Sequence, residues 1–283
     1  MAYPESSYRP AVEHRPATAD ERRTVAKWML GFVAFVALAL ALGSLQMYQA
    51  SSEGTAKESL QRATAALTEI DALLERRYEE MQGQAQAAQA DDTVALEDYP
   101  IALGLTKEDV QGRSKGELRS TMLERSADRL YENGTGVLRE SAGAKGSGGM
   151  FSITGITDRM LGQLTEKNHE RYAIATVALF VVAAAMCAAT TAACRGWGRL
   201  VAPALVLAAA GAAVLVGGLA VMGYAGAQGG DYVRTEFFGM IEELAELPVR
   251  NGVACLVAGV TIGAIGAGGR IFTRRSPTAA EYG

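Results

Sequence analysis

The sequence predicts an all-α protein: a four-span helical integral membrane protein with an extracytoplasmic antiparallel helical bundle between spans 1 and 2. Three observations carry that expectation. The 283 residues contain four long apolar runs free of Asp, Glu, Lys, Arg and His. Basic residues gather beside the ends of those runs on one side, and the long stretch between the first two has helical hydrophobic spacing with no alternating run long enough for a strand. Composition agrees: 49% apolar residues is too many for a disordered chain, and their concentration in runs serves a bilayer more than a globular core.

The runs are Trp28 to Tyr48 (21 residues), Tyr172 to Cys194 (23), Leu200 to Tyr224 (25) and Gly252 to Gly269 (18). A helix rises 1.5 Å per residue and needs about 20 apolar residues to cross the hydrocarbon, so the first three suffice and the fourth extends through Ile271 and Phe272. The expected division is therefore 1–27, span 28–48, domain 49–171, span 172–194, turn 195–199, span 200–224, loop 225–251, span 252–272 and tail 273–283. Trp28, Tyr48, Tyr172 and Tyr224 end their runs, where aromatic rings prefer the interface. The first run is too long for a signal-peptide core and Tyr48-Gln49-Ala50 is a poor cleavage site, so an uncleaved anchor is expected.

Orientation follows from charge. The segments 1–27, 195–199 and 270–283 sum to +5, and the stretches 49–171 and 225–251 to −9, which together return the net −4. Arg22, Arg23, Lys27, Arg195, Arg199, Arg270, Arg274 and Arg275 are the flanking cations, and they put both termini in the cytoplasm. The 123-residue domain is then expected outside a cell membrane. An excess of Ala (51) and of Arg over Lys (21 to 6) points to a GC-rich bacterial gene.

Within the domain, Leu60, Leu67, Ile70, Leu74, Tyr78 and Met81 paint one stripe on a helix running outward from the first span. Tyr99-Pro100 disfavours helix, and Ile101, Leu103 and Leu105 are expected in a buried turn. Thr106 with Asp109, Ser114 with Glu117, and Thr18 with Glu21 have the spacing of N-terminal capping boxes. Asn133-Gly134 reads as a helix stop. Gly143 to Gly149 reads as a flexible connector, since it lacks the Gly-Lys-Ser/Thr order of a phosphate loop. Ile153, Ile156, Met160 and Leu164 form a last stripe leading through His169 into the second span. The first and last helices of the domain thus leave the membrane as neighbours.

In the 225–251 loop, Val233, Phe237, Met240, Ile241, Leu244 and Leu247 fall on one seam, with Glu236, Glu242, Glu243 and Glu246 largely opposite and Pro248 expected to close the helix. A helix lying in the headgroups usually carries Lys and Arg on its polar face. Four Glu argue instead for docking on the bundle or on a partner, which makes this seam the candidate partner-binding face.

The chemistry-bearing residues are few. Cys187, Cys194 and Cys255 fall inside spans without His or acids on the same segments, so buried thiols are expected rather than metal ligands. The polar span residues Ser44, Gln46, Thr176, Thr190, Thr191 and Thr261 are too weakly polar to mark a conduction path, and bonding back to their own helices is the expectation for the hydroxyls. His169 sits among mixed charges and reads as solvated, with pH sensing as the sharper alternative. Glu79, Glu80, Asp91, Asp92, Glu97 and Asp98 read as a solvated helix end and tip. No catalytic, cofactor or metal motif is present, and an enzyme is not expected. Gly259, Gly263 and Ala267, and Ala185, Ala189 and Ala193, have the small-xxx-small spacing of close helix packing, within the chain or between copies.

The expected partners are the lipid bilayer and a protein partner or further copies of the chain; no nucleic acid is expected. The layout resembles extracytoplasmic sensor modules of bacterial receptors in architecture. The cytoplasmic pieces, 27 and 5 residues and at most 14 counted from Arg270, are too short for a signalling output of their own. The leading expectation is a non-enzymatic assembly or regulatory subunit acting through partners. A ligand sensor with a separate effector, and a transport accessory or oligomeric pore subunit, are the alternatives.

Overall fold

A computed structural model describes residues 19–89, 93–94, 99–101, 103–134, 136–137, 161–227, 230 and 232–274. The expected connector 143–149, the stripe residues Ile153, Ile156 and Met160, and the acids Asp91, Asp92, Glu97 and Asp98 lie outside them, as do Thr18 and the side chains of Glu21 and Val233. The elements are α1 (Ala19–Ala50), α2 (Glu53–Thr68), α3 (Ile70–Ala87), β1 (Thr93–Val94), β2 (Leu105–Thr106), α4 (Lys107–Val110), α5 (Lys115–Asn133), α6 (Glu166–Ala193), α7 (Gly198–Gly226) and α8 (Tyr232–Arg274).

Four helices, α1, α6, α7 and α8, are long and apolar enough to cross a membrane, and each contains one of the four uncharged runs except that α6 stops at Ala193, one residue before the end of its run. They pack as one bundle. α1 lies along α6 and also touches α7, while α7 and α8 run against each other over most of their length. The shared core is built from small residues: Ala34, Ala37, Leu38, Ala41 and Leu42 of α1 meet Ala183 of α6 and Val206 and Ala210 of α7. Lipid tails are as apolar as leucine, so such helices associate by close packing, which small side chains permit. Large side chains point outward instead: Trp28, Phe32, Ile174, Val177, Val216 and Val257 are all exposed on the bundle surface.

The second unit is a helical head built from the described residues between α1 and α6 together with the first turns of α8. Leu60, Ile70, Met81, Leu118, Met122 and Leu130 are fully buried in its core. Each such side chain contributes about 1.5–3 kcal/mol by leaving water. The expected stripe is therefore central, with two differences. The outward helix is broken twice. At Ser51–Ser52 the hydroxyls donate to the Tyr48 carbonyl (3.2 Å) and the Gln49 carbonyl (2.7 Å), bonds that compete with the helix. At Glu69 the backbone is left-handed, with φ 45° and ψ 45°. Leu67, in the last turn before that break, is 40% exposed and is not part of the core.

The absence of strands expected from the sequence also needs correction. Thr93–Val94 pairs antiparallel with Leu105–Thr106, and Val94 faces Leu105 in register. The two-residue strands are too short for any periodicity to reveal them. Ile101, Leu103 and Leu105 are buried, as the turn reading required. Both described capping boxes are formed: Thr106 with Asp109 opens α4, and Ser114 with Glu117 opens α5. α5 ends at Asn133, and Gly134 takes φ 70°, where a Cβ would strain the backbone.

The largest correction concerns Pro248. It does not close a loop helix; it lies inside the 43-residue α8, which runs unbroken from the head through the fourth apolar run. Proline removes one helical N–H and crowds the preceding turn, which usually ends a helix in water. Here α7 packs along the same stretch: a Cβ at Gly218 would stand 3.2 Å from Pro248 Cβ and 2.9 Å from Val249 Cγ2. Neighbouring helices hold both halves in line, as they do for prolines in membrane helices.

Candidate functional site

The seam of α8 is occupied by the protein itself. Phe237 and Met240 are buried in the head core, and Ile241, Leu244 and Leu247 pack against it half-buried. The face nominated for an external partner is thus covered by α2 and its neighbours. Polar contacts close the same junction. Arg62 Nε lies 3.3 Å from a Glu243 carboxylate oxygen. Arg119 of α5 donates to Asp71 of α3 (2.8 Å) and to the Tyr232 hydroxyl (3.1 Å), which itself donates to Asp71 (2.8 Å). At the top of the spans Asn251 donates to the Gln49 side chain (2.7 Å). Burial raises the Glu243 carboxyl above the usual range; Arg62 opposes that shift, and Glu58 and Glu246 add to it.

Close helix packing is found where α7 meets α8. A Cβ at Gly259 would stand 2.5 Å from the Ala208 nitrogen, and one at Gly263 3.5 Å from Ala204 Cβ. Ala267 is exposed. Gly211 and Gly252 face one another, with hypothetical Cβ contacts of 2.8 Å to each other's carbonyl oxygens, and Gly266 meets Leu200. The contact repeats every seven residues along α8: Gly252 meets Gly211 and Leu215 of α7, Gly259 meets Ala204 and Ala208, and Gly266 meets Leu200 and Val201. That seven-residue period stands in the sequence beside the four-residue Gly259–Gly263 spacing, which shares only Gly259 with it. Ala185 and Ala189 lie on the exposed side of α6 and Ala193 is half-buried; the inward residues of that helix are Thr176, Ala183 and Thr190.

His169 is held rather than solvated. Its ring stacks on Tyr48 with centroids 4.5 Å apart, and its Nδ1 lies 3.2 Å from the Ser51 hydroxyl. Lower in the same pair of helices Ser44 and Thr176 share a hydrogen bond of 3.0 Å. These are contacts between α1 and α6, whereas Thr190, Thr191 and Thr261 donate to their own helix carbonyls four residues back, as expected. The three cysteines are free and half-buried. No group of three or more metal-ligating side chains occurs among the described residues.

The feature the sequence did not reveal is a cavity of about 560 Å³ between the head and the spans. Gln46 and Met47 in the last turns of α1 form one wall, Val214, Gly217 and Val221 of α7 a second, and Leu244 and Leu247 of α8 a third. Leu164, just before α6, completes it. The lining is apolar except for Gln46 and Gln163. The Gln163 side-chain oxygen accepts from the Tyr172 hydroxyl, whereas the Gln46 amide nitrogen is buried without a partner among the described residues. Pro248 also removes the helical N–H that would answer the Leu244 carbonyl. Small residues open this space: a Cβ at Gly217 would meet nothing within 4 Å.

No protein-family model matches the chain, and neither a curated protein nor a solved structure shows significant similarity to it.

Proposed function

We propose that this protein is a non-enzymatic multi-pass subunit of the cell membrane, with both termini cytoplasmic and the helical head outside, which acts through protein partners as an assembly or regulatory subunit. The observation that supports this reading best is the continuity of α8. Its first turns belong to the head core, and the same helix continues past Pro248 into an apolar stretch long enough to cross a membrane. A head joined in this way presents its surface at a fixed angle to the bundle, and any displacement of it by a partner is transmitted to α7 and α8. The filled seam moves the expected partner contact away from Phe237 and Met240 to the exposed surfaces of the head or bundle. The direct test is extraction in mild detergent, with measurement of particle mass and identification of every co-purifying chain. A foreign chain at fixed stoichiometry is expected; a particle holding only this chain overturns the reading.

The cavity favours a second reading, a sensor whose ligand binds at the junction of head and spans. Ligands that bind the native state raise the unfolding temperature by mass action, so thermal unfolding of the full chain against a panel of apolar compounds separates the two.

A further inference from the structure

We propose that the cavity between head and spans is a binding site for one hydrocarbon chain of a membrane phospholipid. The inference rests on the membrane-spanning reading of the four apolar helices. It does not depend on which protein partner the subunit has.

Position argues first. The cavity lies beside the last turns of α1, where Tyr48 ends the uncharged run, and above the Gly252 start of the fourth run. This is the depth at which lipid chains join their polar heads, because aromatic residues ending a span mark the interface. Chemistry argues next. A cavity lined by Met47, Leu164, Val214, Val221, Leu244 and Leu247 has little to offer water, and apolar cavities accept apolar guests. Its volume, about 560 Å³, falls in the range of small-molecule sites, and it is open rather than sealed. Hydrocarbon chains are the molecules most abundant at its mouth. Lastly, the Gln46 amide nitrogen is a buried donor without an acceptor among the described residues. An ester carbonyl of a phospholipid seated with its chain in the cavity supplies that acceptor at the right depth.

The test uses the full chain in phosphatidylcholine vesicles doped with phosphatidylcholine that carries a photoreactive diazirine in one acyl chain. Labelled residues are mapped by mass spectrometry. Labelling at the half-buried Val214, Leu244 and Leu247 is expected to exceed labelling at the outward-facing Val177 and Val257, which sample bulk lipid. Gly217→Leu adds bulk at the cavity wall from a position whose Cβ meets nothing within 4 Å, and is expected to lower the cavity labelling at least about fivefold while leaving Val177 and Val257 unchanged. Gly217→Ala and the outlying Gly223→Leu, where a Cβ also meets open space, are expected to label like the parent. Gln46→Leu removes the donor and is expected to reduce cavity labelling about threefold, the value of one neutral hydrogen bond. Cavity labelling no greater than at Val177 and Val257, or unchanged by Gly217→Leu, overturns the proposal. So does labelling by a free fatty acid carrying the same diazirine but not by the phospholipid. Silence at Val177 and Val257 as well overturns the membrane reading beneath it.

Discussion

Asp109 is 7% exposed and accepts from the Thr106 amide and hydroxyl at 2.8 Å, with Arg125 2.6 Å away. Burial alone pushes its carboxyl upward, but the two Thr106 bonds with the charges of Arg125 and Arg113 outweigh it and hold the group below its ordinary value. A carboxyl whose native pKa is depressed stabilises the fold above its unfolded pKa and loses that contribution as pH falls through the native value. The head is therefore expected to weaken below about pH 4. Asp109→Asn should cost about 2 kcal/mol in thermal unfolding at neutral pH and flatten that acid limb. Tyr99 is the opposite case: burial pushes its hydroxyl up to about 12, and it shares a 2.8 Å bond with Ser126. Its contribution is present below the unfolded value and lost as pH rises through 12; Tyr99→Phe should cost about 1 kcal/mol. Glu69 holds a left-handed backbone at φ 45° and makes no side-chain cap hydrogen bond to α3. Glu69→Gly is expected to stabilise by about 0.5 kcal/mol and Glu69→Val to destabilise by more than about 1 kcal/mol, both read by unfolding temperature. Of these residue-level features, the two capping boxes were legible because an acid three residues after Ser or Thr has a local geometric meaning. Glu69 was not, because no neighbouring residue announces a left-handed turn there.

At the scale of elements, the spans were legible and their ends were not. An uncharged run of about 20 residues has few other uses, so α1, α6, α7 and α8 could be located from composition. Yet each helix outruns its apolar run, since helix geometry continues wherever a neighbour packs: α8 begins at Tyr232, 20 residues before Gly252. Pro248 misled because a proline signal is calibrated on helices whose freed backbone groups meet water. The break between α2 and α3 was hidden for the converse reason, since the stripe of apolar residues stays nearly in phase across it. Glycine placement yields a sharp prediction. Gly259→Val must push α7 away, because its Cβ alone would approach the Ala208 nitrogen to 2.5 Å; it should cost about 1–3 kcal/mol in detergent unfolding. Gly263→Ala, with 3.5 Å to the nearest atom, should be close to neutral in the same measurement.

For the whole molecule, the α8 seam serves the chain's own fold, the bundle docking that its four Glu allowed beside docking on a partner. Its helical period could be read from the sequence, as could its aversion to the headgroups, but the choice between own bundle and foreign partner depends on where α2 ends up. The cavity was illegible for the same reason, since Gln46, Gln163, Gly217 and Leu244 come from four separate segments. Phe237→Ala should cost about 3–5 kcal/mol because it empties the head core, a loss that a purely partner-facing residue would not produce. In the proposed topology the head and the first turns of α8 lie outside while the α6–α7 turn lies inside. Replacing Cys187, Cys194 and Cys255 by Ala gives a thiol-free background, into which single cysteines go at exposed Glu124, Glu242 and Gly198. Labelling of intact cells with a membrane-impermeant maleimide should modify positions 124 and 242 and spare 198 until the membrane is opened. Modification of 198 in intact cells with 124 and 242 silent would contradict the account.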